Sequence, residues 1–568
     1  MLSTDRAPIL ARDLGGAPLT TADVGAEYDG IDAALAASPA EAELFAVLRR
    51  WDALKRRVTA HLNRAELRFR QDTADAGVGS EAAAATALSA AAQSRDLAIK
   101  RRLLAHPDRA ALERVFGSHV FALWQSDALA FEPALEDDVV RESALFNEYT
   151  QLLAGVTTTF EGETHSLKSL AGFAEDSDRD VRRAALTARW SVYEEHAPAL
   201  DRIFDELVRC RAQMAAKLGY ASFMDLAYKK LGRTDYGPGD VARFRDAIRS
   251  DIGPLAQRIV DAQGAALGVD AVMPWDEAVF DRLPPIAMPA GDGEVSRAFA
   301  AGFASLDPEL GAFARLMFER DLLDLEARSS KAVGAFCTFF PDARMPYVFV
   351  CPTGTSSDAL TLVHEMGHAF QDYSARDKEL VEYVVPTAEA GEIHSMSMEF
   401  LMWPEYERFA GDDADRYRSQ HLRTMLLTLP YLAAIDHFQE LVYAQPDASA
   451  DDRYAMWRWV EARYLPHRRS GDIPHLVRGG LWQRQRHVFG FPFYYIDYGL
   501  ALCCALQFWT AARHDRAAAL AAYIALCRRG GDGPFLQLVE SAGLRSPFAP
   551  GALSDVARQA ADFLGLQA

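Results

Sequence analysis

His364 and His368 stand four residues apart, with Glu365 directly after the first, in the run His364-Glu365-Met366-Gly367-His368. An α-helix turns about 100° per residue, so positions i and i+4 lie one above the other on the same face. Two imidazoles there offer nitrogen to one tetrahedral cation, and the carboxylate between them points to where a bound water would sit. The flanking sequence predicts the required helix. Thr355, Ser356, Ser357 and Asp358 are four successive candidate N-caps ahead of 359–373. Leu362, Met366, Ala369 and Tyr373 recur at helical spacing beside a stripe of Val363, Gly367 and Phe370. A helix apolar nearly all round belongs in the interior, where two histidines and a glutamate are costly unless a metal compensates them. Gly367 lowers helix propensity by up to about 1 kcal/mol relative to Ala. Its place between the histidines implies another backbone, or a substrate, close by.

A catalytic zinc keeps three protein ligands and leaves the fourth position to water. Pro386-Thr387 followed by 388–403 predicts a second helix, carrying Glu389, Glu392 and Glu399. Spacing leaves all three open as the third ligand, although Glu392 and Glu399, two turns apart, share a face. His394, two residues from Glu392, points elsewhere on the helix.

The run Glu392-Ile393-His394-Ser395-Met396-Ser397-Met398-Glu399 resembles the second zinc-site helix of the thimet-oligopeptidase superfamily, the M3 metallopeptidases, in particular the oligoendopeptidase F branch. Gly334-Ala335-Phe336-Cys337-Thr338, then Pro346-Tyr347-Val348-Phe349-Val350, is similar to the segment that precedes the zinc helix in that branch. The stretch from His487 through Phe491-Pro492-Phe493-Tyr494-Tyr495-Ile496-Asp497-Tyr498 to Gly499 resembles the family's histidine- and tyrosine-rich loop. The resemblance implies that Glu392 is the third zinc ligand and Glu365 the general base. Glu399 becomes a carboxylate behind the ligands or a structural one. His487 and Tyr495 are the first choices as donors to the developing oxyanion, with Tyr494 and Tyr498 as alternates. One zinc per chain is implied, in a mainly α fold: a helical bowl or prolate two-lobed body split by a deep substrate channel, with a small β-sheet near the site. In the family an edge strand near the metal pairs with the bound peptide, and the apolar run ending at Val350 reads as a short strand.

The activity this implies is zinc-dependent endopeptidase hydrolysis of short, unfolded oligopeptides. Two alternatives stand beside it. One is a zinc carboxypeptidase of a related helical family, holding the substrate's terminal carboxylate with Arg468, Arg469, Arg484 or Arg486. The other is a peptide-binding protein without catalysis.

The rest of the chain reads as mostly helix. Residues 40–73 and 80–105 form an antiparallel amphipathic pair, and 156–167 a hairpin turning at Glu161-Gly162. Helix resumes over 176–218, with the charged run 178–183 as a solvated face, and Gly/Pro-rich loops follow near 237–239 and 284–293. An N-terminal helical region with its hairpin (1–190) and a catalytic domain (191–568) are expected. A net charge of −20 argues against a nucleic-acid partner, which needs a basic face. There is no run of 18 or more uncharged apolar residues, so no membrane span is expected. Asp5, Arg6, Arg12 and Asp13 leave no apolar core for a signal peptide in 1–16. The six cysteines lack CxxC spacing and fit a reduced, cytoplasmic protein, with Cys503 and Cys504 as small core residues.

Overall fold

A computed structural model describes residues 16–567 apart from 17, 38, 40, 287–291 and 354, and gives the backbone alone over 292–296. Nearly all of the segment 1–16, and half of the expected loop at 284–293, lie outside the described residues.

The N-terminal helices build a core of their own. The Thr20 side chain accepts from the Asp23 N–H at 3.1 Å and starts α1 (Thr21–Ala36). Helices α2 (Glu41–Gln71) and α3 (Ala76–Leu104) meet at a tight turn, where the Asp75 carboxylate accepts from the N–H groups of Gly77 and Val78 at 2.7 and 3.0 Å. Trp51 and Leu54 of α2 pack with Leu88 and Ile99 of α3 and with Trp124, and Leu380 and Tyr383 reach into this core from the second half of the chain. A hairpin follows: β1 (Thr157–Phe160) pairs antiparallel with β2 (Glu163–Ser166). Its turn places Glu161 and Gly162 at φ 51° and 82°, the double left-handed step that a two-residue hairpin with right-twisted strands requires.

Helix α4 (Arg179–Lys217) corrects the reading of its charged start. Arg182 is buried rather than solvated. Arg179 and Arg182 together grip the fully buried Asp276 at 2.7 and 3.1 Å, supplying the positive charge that a carboxylate needs in the interior. Likewise Gly237-Pro238 opens a helix, Pro238–Ala247, in place of a loop; proline at the first helical position gives up no hydrogen bond there.

A larger core runs from Leu67 to Ala561 and encloses the second sheet. Its strands β3 (Leu323–Asp324), β4 (Ala335–Phe340) and β5 (Met345–Val350) lie in the order β3-β5-β4. The apolar run at 346–350 is therefore the central strand, buried at every position, and the edge strand is β4. Next come α5 (Ser357–Ala375), α6 (Ala388–Leu401), α7 (Ala414–Ala444) and α8 (Asp497–His514). α5 starts at Ser357 without a side-chain cap; the Asp358 carboxylate instead accepts from the Thr353 N–H at 2.9 and 3.0 Å. Among the described residues no helix is long and apolar enough to cross a membrane. All six cysteines are free thiols, with Cys503 and Cys504 buried.

Candidate active site

Gly367 lets α5 and α6 cross in contact. A Cβ added there would stand 2.8 Å from the His394 carbonyl oxygen and the Ser395 Cα, so the passing backbone is that of α6. The crossing sets Glu392 over the α5 histidines: Glu392 Oε2 lies 3.3 Å from His364 Nε2 and 3.4 Å from His368 Nε2. One ligand atom from each of the three residues falls within 4.8 Å of the other two. A tetrahedral ion with bonds of about 2.0–2.1 Å sets its ligands about 3.4 Å apart, so this spacing and the N,N,O donor set fit a divalent cation.

A relay behind the cluster sets the tautomers. Trp403 Nε1 donates to His421 Nδ1 at 3.0 Å, which leaves the His421 Nε2–H to donate to Glu399 Oε2 at 2.8 Å. The other Glu399 oxygen takes His364 Nδ1–H at 2.7 Å, so His364 Nε2 keeps its lone pair toward Glu392 and His368. Burial opposes ionisation of Glu399, yet the bonds from His364 and His421 more than offset it and hold its pKa below the ordinary carboxylate value. His421 and Trp403 carried no signal in the sequence, since nothing in their spacing ties them to the histidine pair. His394 leaves this group: its Nδ1 lies 3.4 Å from Cys527 Sγ, and burial drives its pKa to about 3.

Glu365 is buried, and burial raises its pKa against the opposing pull of His364, His368 and the Cys337 backbone N–H on β4. Edge strand β4 thus presents backbone beside the cluster. The Asn63 side chain of α2 donates to the Phe339 carbonyl at 2.7 Å further along it. Between the N-terminal helices and β4 lies a cavity of about 720 Å³, lined among others by Asn63, Cys337, Thr338 and Asp372.

The tyrosine loop approaches from the other side, over a strained residue. Phe493 sits at φ 64°, rarely adopted by a bulky side chain, and is pinned at both ends. Its N–H donates to Gln439 Oε1 at 3.0 Å, and its carbonyl accepts from Arg233, which is itself ion-paired with Asp497. The next residue, Tyr494, donates its hydroxyl to Glu392 Oε1 at 3.3 Å, and the hydroxyl of Tyr498 bonds to that of Tyr494. Tyr495 turns away, with its ring 6.0 Å from that of Tyr431 and its hydroxyl under the influence of Tyr431 and Arg484. Tyr494 and Tyr498, four residues apart with rings 5.4 Å from each other, thus stand on the Glu392 side, and Tyr495 faces Tyr431. His487 stacks on Tyr494 at 5.7 Å and accepts at Nδ1 from Gln485 at 2.7 Å, which leaves Nε2–H as a donor. Burial lowers its pKa to about 4, so it donates as a neutral imidazole rather than as imidazolium.

A helical body with two histidines and a glutamate converging beside a buried carboxylate defines a metallopeptidase. The chain belongs to peptidase family M3: the family model matches residues 173–283 and 311–557, and the M3 N-terminal domain model matches 18–131. Solved structures agree along nearly the whole chain. An X-ray structure described as an oligoendopeptidase F shares 39% identity at TM-score 0.92, over 97% of this chain and 98% of that one. PZ peptidase A with an inhibitor shares 36% at TM-score 0.92, over 97% and 98%. A protein of Bacillus anthracis str. Ames, also described as an oligoendopeptidase F, shares 34% at TM-score 0.88, over 99% of each chain. A comparison with curated proteins returned no match. Family and neighbours together make the chain a metalloendopeptidase.

Proposed function

We propose that this enzyme is a zinc-dependent oligoendopeptidase that cleaves internal bonds of short, unfolded peptides in the cytoplasm. The observation that carries the reading is the convergence of His364, His368 and Glu392 beside Glu365. Those three residues would hold the zinc, which when bound would supply an acidified water and Lewis-acid polarisation of the scissile carbonyl. Glu365 takes the proton of the attacking water and returns it to the leaving amine, and burial raises its pKa above the ordinary carboxylate value, which strengthens it as a base. Tyr498, Tyr494 and the His487 Nε2–H supply donors for the oxygen that gains charge. The substrate backbone pairs with edge strand β4, whose Cys337 N–H already points at Glu365. The N-terminal region, 1–190, walls one side of the channel that leads to the catalytic domain, 191–568.

The test is hydrolysis of a peptide blocked at both ends, followed by mass spectrometry, with metal content measured on the same sample. The reading expects one zinc per chain and internal cleavage that stops with a chelator and returns with zinc. Cleavage indifferent to chelator, or a metal-free protein of full activity, overturns it.

A further inference from the structure

The arginines beside the tyrosine loop differ in what they hold. Arg468 is already neutralised by Glu277 at 2.7 Å and Glu461 at 2.9 Å. Arg484 and Arg189, the latter on α4, have no ion pair among the described residues. The Arg484 guanidinium lies 5.5 Å from the centre of the Tyr431 ring. Burial first, and then the charge of Arg484, lower the pKa of Arg189, so the two cations share one field. Glu277, the acid whose charge reaches Arg484, is the one bound by Arg468. A half-buried guanidinium without an acid of its own is costly unless an anion completes it.

Arg484 opens into a cavity of about 210 Å³, lined also by Tyr431, Thr428, Arg468, Arg469 and Glu277, whose carboxylate Arg468 holds. A short series of side-chain contacts leads from its lining to the metal cluster. Tyr431 lies 6.0 Å from Tyr495, Tyr495 4.8 Å from His487, and His487 5.7 Å from Tyr494, which bonds Glu392. An extended peptide advances about 3.3 Å per residue, so the cavity is within a few residues of the bond to be cut. A planar guanidinium matches a carboxylate in charge and in paired hydrogen bonds.

We propose that this cavity is an anionic subsite, in which Arg484 receives a carboxylate of the peptide substrate a few residues from the scissile bond. The inference rests on the peptidase reading of the metal cluster and narrows its substrate class. The carboxylate is either the C-terminus or an Asp or Glu side chain.

The test uses one internally quenched peptide in matched pairs: C-terminal acid against amide, and, within the amide series, Glu against Gln walked along the sequence. The full-length enzyme is expected to prefer the carboxylate member of one pair by about 10- to 100-fold in kcat/KM, mostly through KM, the worth of a charge-assisted hydrogen bond. The pair that responds identifies the source of the carboxylate. Arg484→Gln should bring that ratio to within about twofold, and Arg484→Lys should retain part of it. Because the ratio is taken within each variant, a loss of overall rate does not imitate the effect. A wild-type ratio near one in every pair, or a ratio that survives Arg484→Gln, overturns the proposal. Fluorescence anisotropy of labelled acid and amide peptides on Glu365→Gln protein reads the same ratio as an affinity. Absence of all hydrolysis would therefore sink the peptidase reading, while the binding ratio still decides the subsite.

Discussion

Two buried clusters of charge share helix α6, and they differ in where the positive charge comes from. One joins Glu392 and Glu399 to His364, His368 and His421. The other sets Glu389 near Asp497 and Arg233. The acids are equally hidden, with Glu389, Glu392, Glu399 and Asp497 all less than 8% exposed. The second cluster contains its own permanent cation: Arg233 pairs with Asp497 and ties down the carbonyl of Phe493. Two acids still outnumber that one cation, and burial raises the pKa of both Glu389 and Asp497 above the ordinary carboxylate range. The first cluster has imidazoles but no guanidinium or ammonium, and the side chains of His364 and His368 are 21% and 23% exposed. A buried acid cluster completed by arginine is scaffold. One completed only by imidazole, and open on one side, is arranged to take a metal.

Glu365→Gln is the sharpest attack on the first half of that comparison. It removes the base and leaves every ligand in place, so turnover should fall by about 10⁴-fold, the upper range for a general acid–base group, with metal content unchanged. Kinetics and metal analysis on one preparation check both. Turnover within tenfold of wild type would show that Glu365 is not the base.

Arg233→Met attacks the second half. It strands Asp497 without its cation in the interior, and breaking a buried pair this way costs about 3–5 kcal/mol. The thermal midpoint should drop while metal content stays at wild-type level. Adding Asp497→Leu should restore much of the loss, since a well-packed apolar pair of similar volume is often as stable as an ion pair. Loss of metal without loss of stability would mean that the two clusters are one functional unit and the distinction drawn between them is wrong.

The tyrosine loop, where the two clusters meet, separates its members next. Tyr498→Phe and Tyr494→Phe each delete a hydroxyl on the Glu392 side, and an oxyanion donor is worth about 2.7–4 kcal/mol of barrier, or 10²–10³ in kcat. Tyr495→Phe deletes one on the Arg484 side and should stay within about tenfold of wild type by the same measure. A larger effect at Tyr495 than at both of its neighbours would reverse the reading of the turn.

This loop also shows where legibility ended. The helix pair of the site was readable because period and chemistry coincide: i and i+4 fix His364 and His368 on one face, and Gly367 announced a close crossing that α6 supplies. The N-terminal helix pair and the hairpin were readable for the same local reasons. Which tyrosine faces the cluster was not readable, since it depends on the left-handed φ of Phe493, and that is enforced by Gln439 and Arg233 from distant parts of the chain. The edge strand was misplaced because burial on both faces makes a central strand the more conspicuous apolar run. Arg182 was misread as solvated because its partner Asp276 lies 94 residues away.

The least disruptive challenge lies behind the ligands, in Glu399→Gln. The substitution keeps size and burial but replaces a double acceptor with one oxygen and one NH₂ group, so either His364 or His421 loses its partner. If His364 loses it, the ring is no longer held with its Nδ1 proton toward Glu399, and the population with Nε2 free for a ligand falls. Outer partners of this kind are worth about 10- to 100-fold in metal affinity. Competition with a metal-binding dye should therefore show weaker zinc binding of that order, while kcat at saturating zinc stays near wild type, because Glu365 is untouched. His421→Leu should shift affinity the same way through the same relay. If Glu399→Gln bound zinc as tightly as wild type but melted several degrees lower, the Glu399 carboxylate would belong with Asp497, as a scaffold acid, and the boundary between the two clusters would run along the other face of α6.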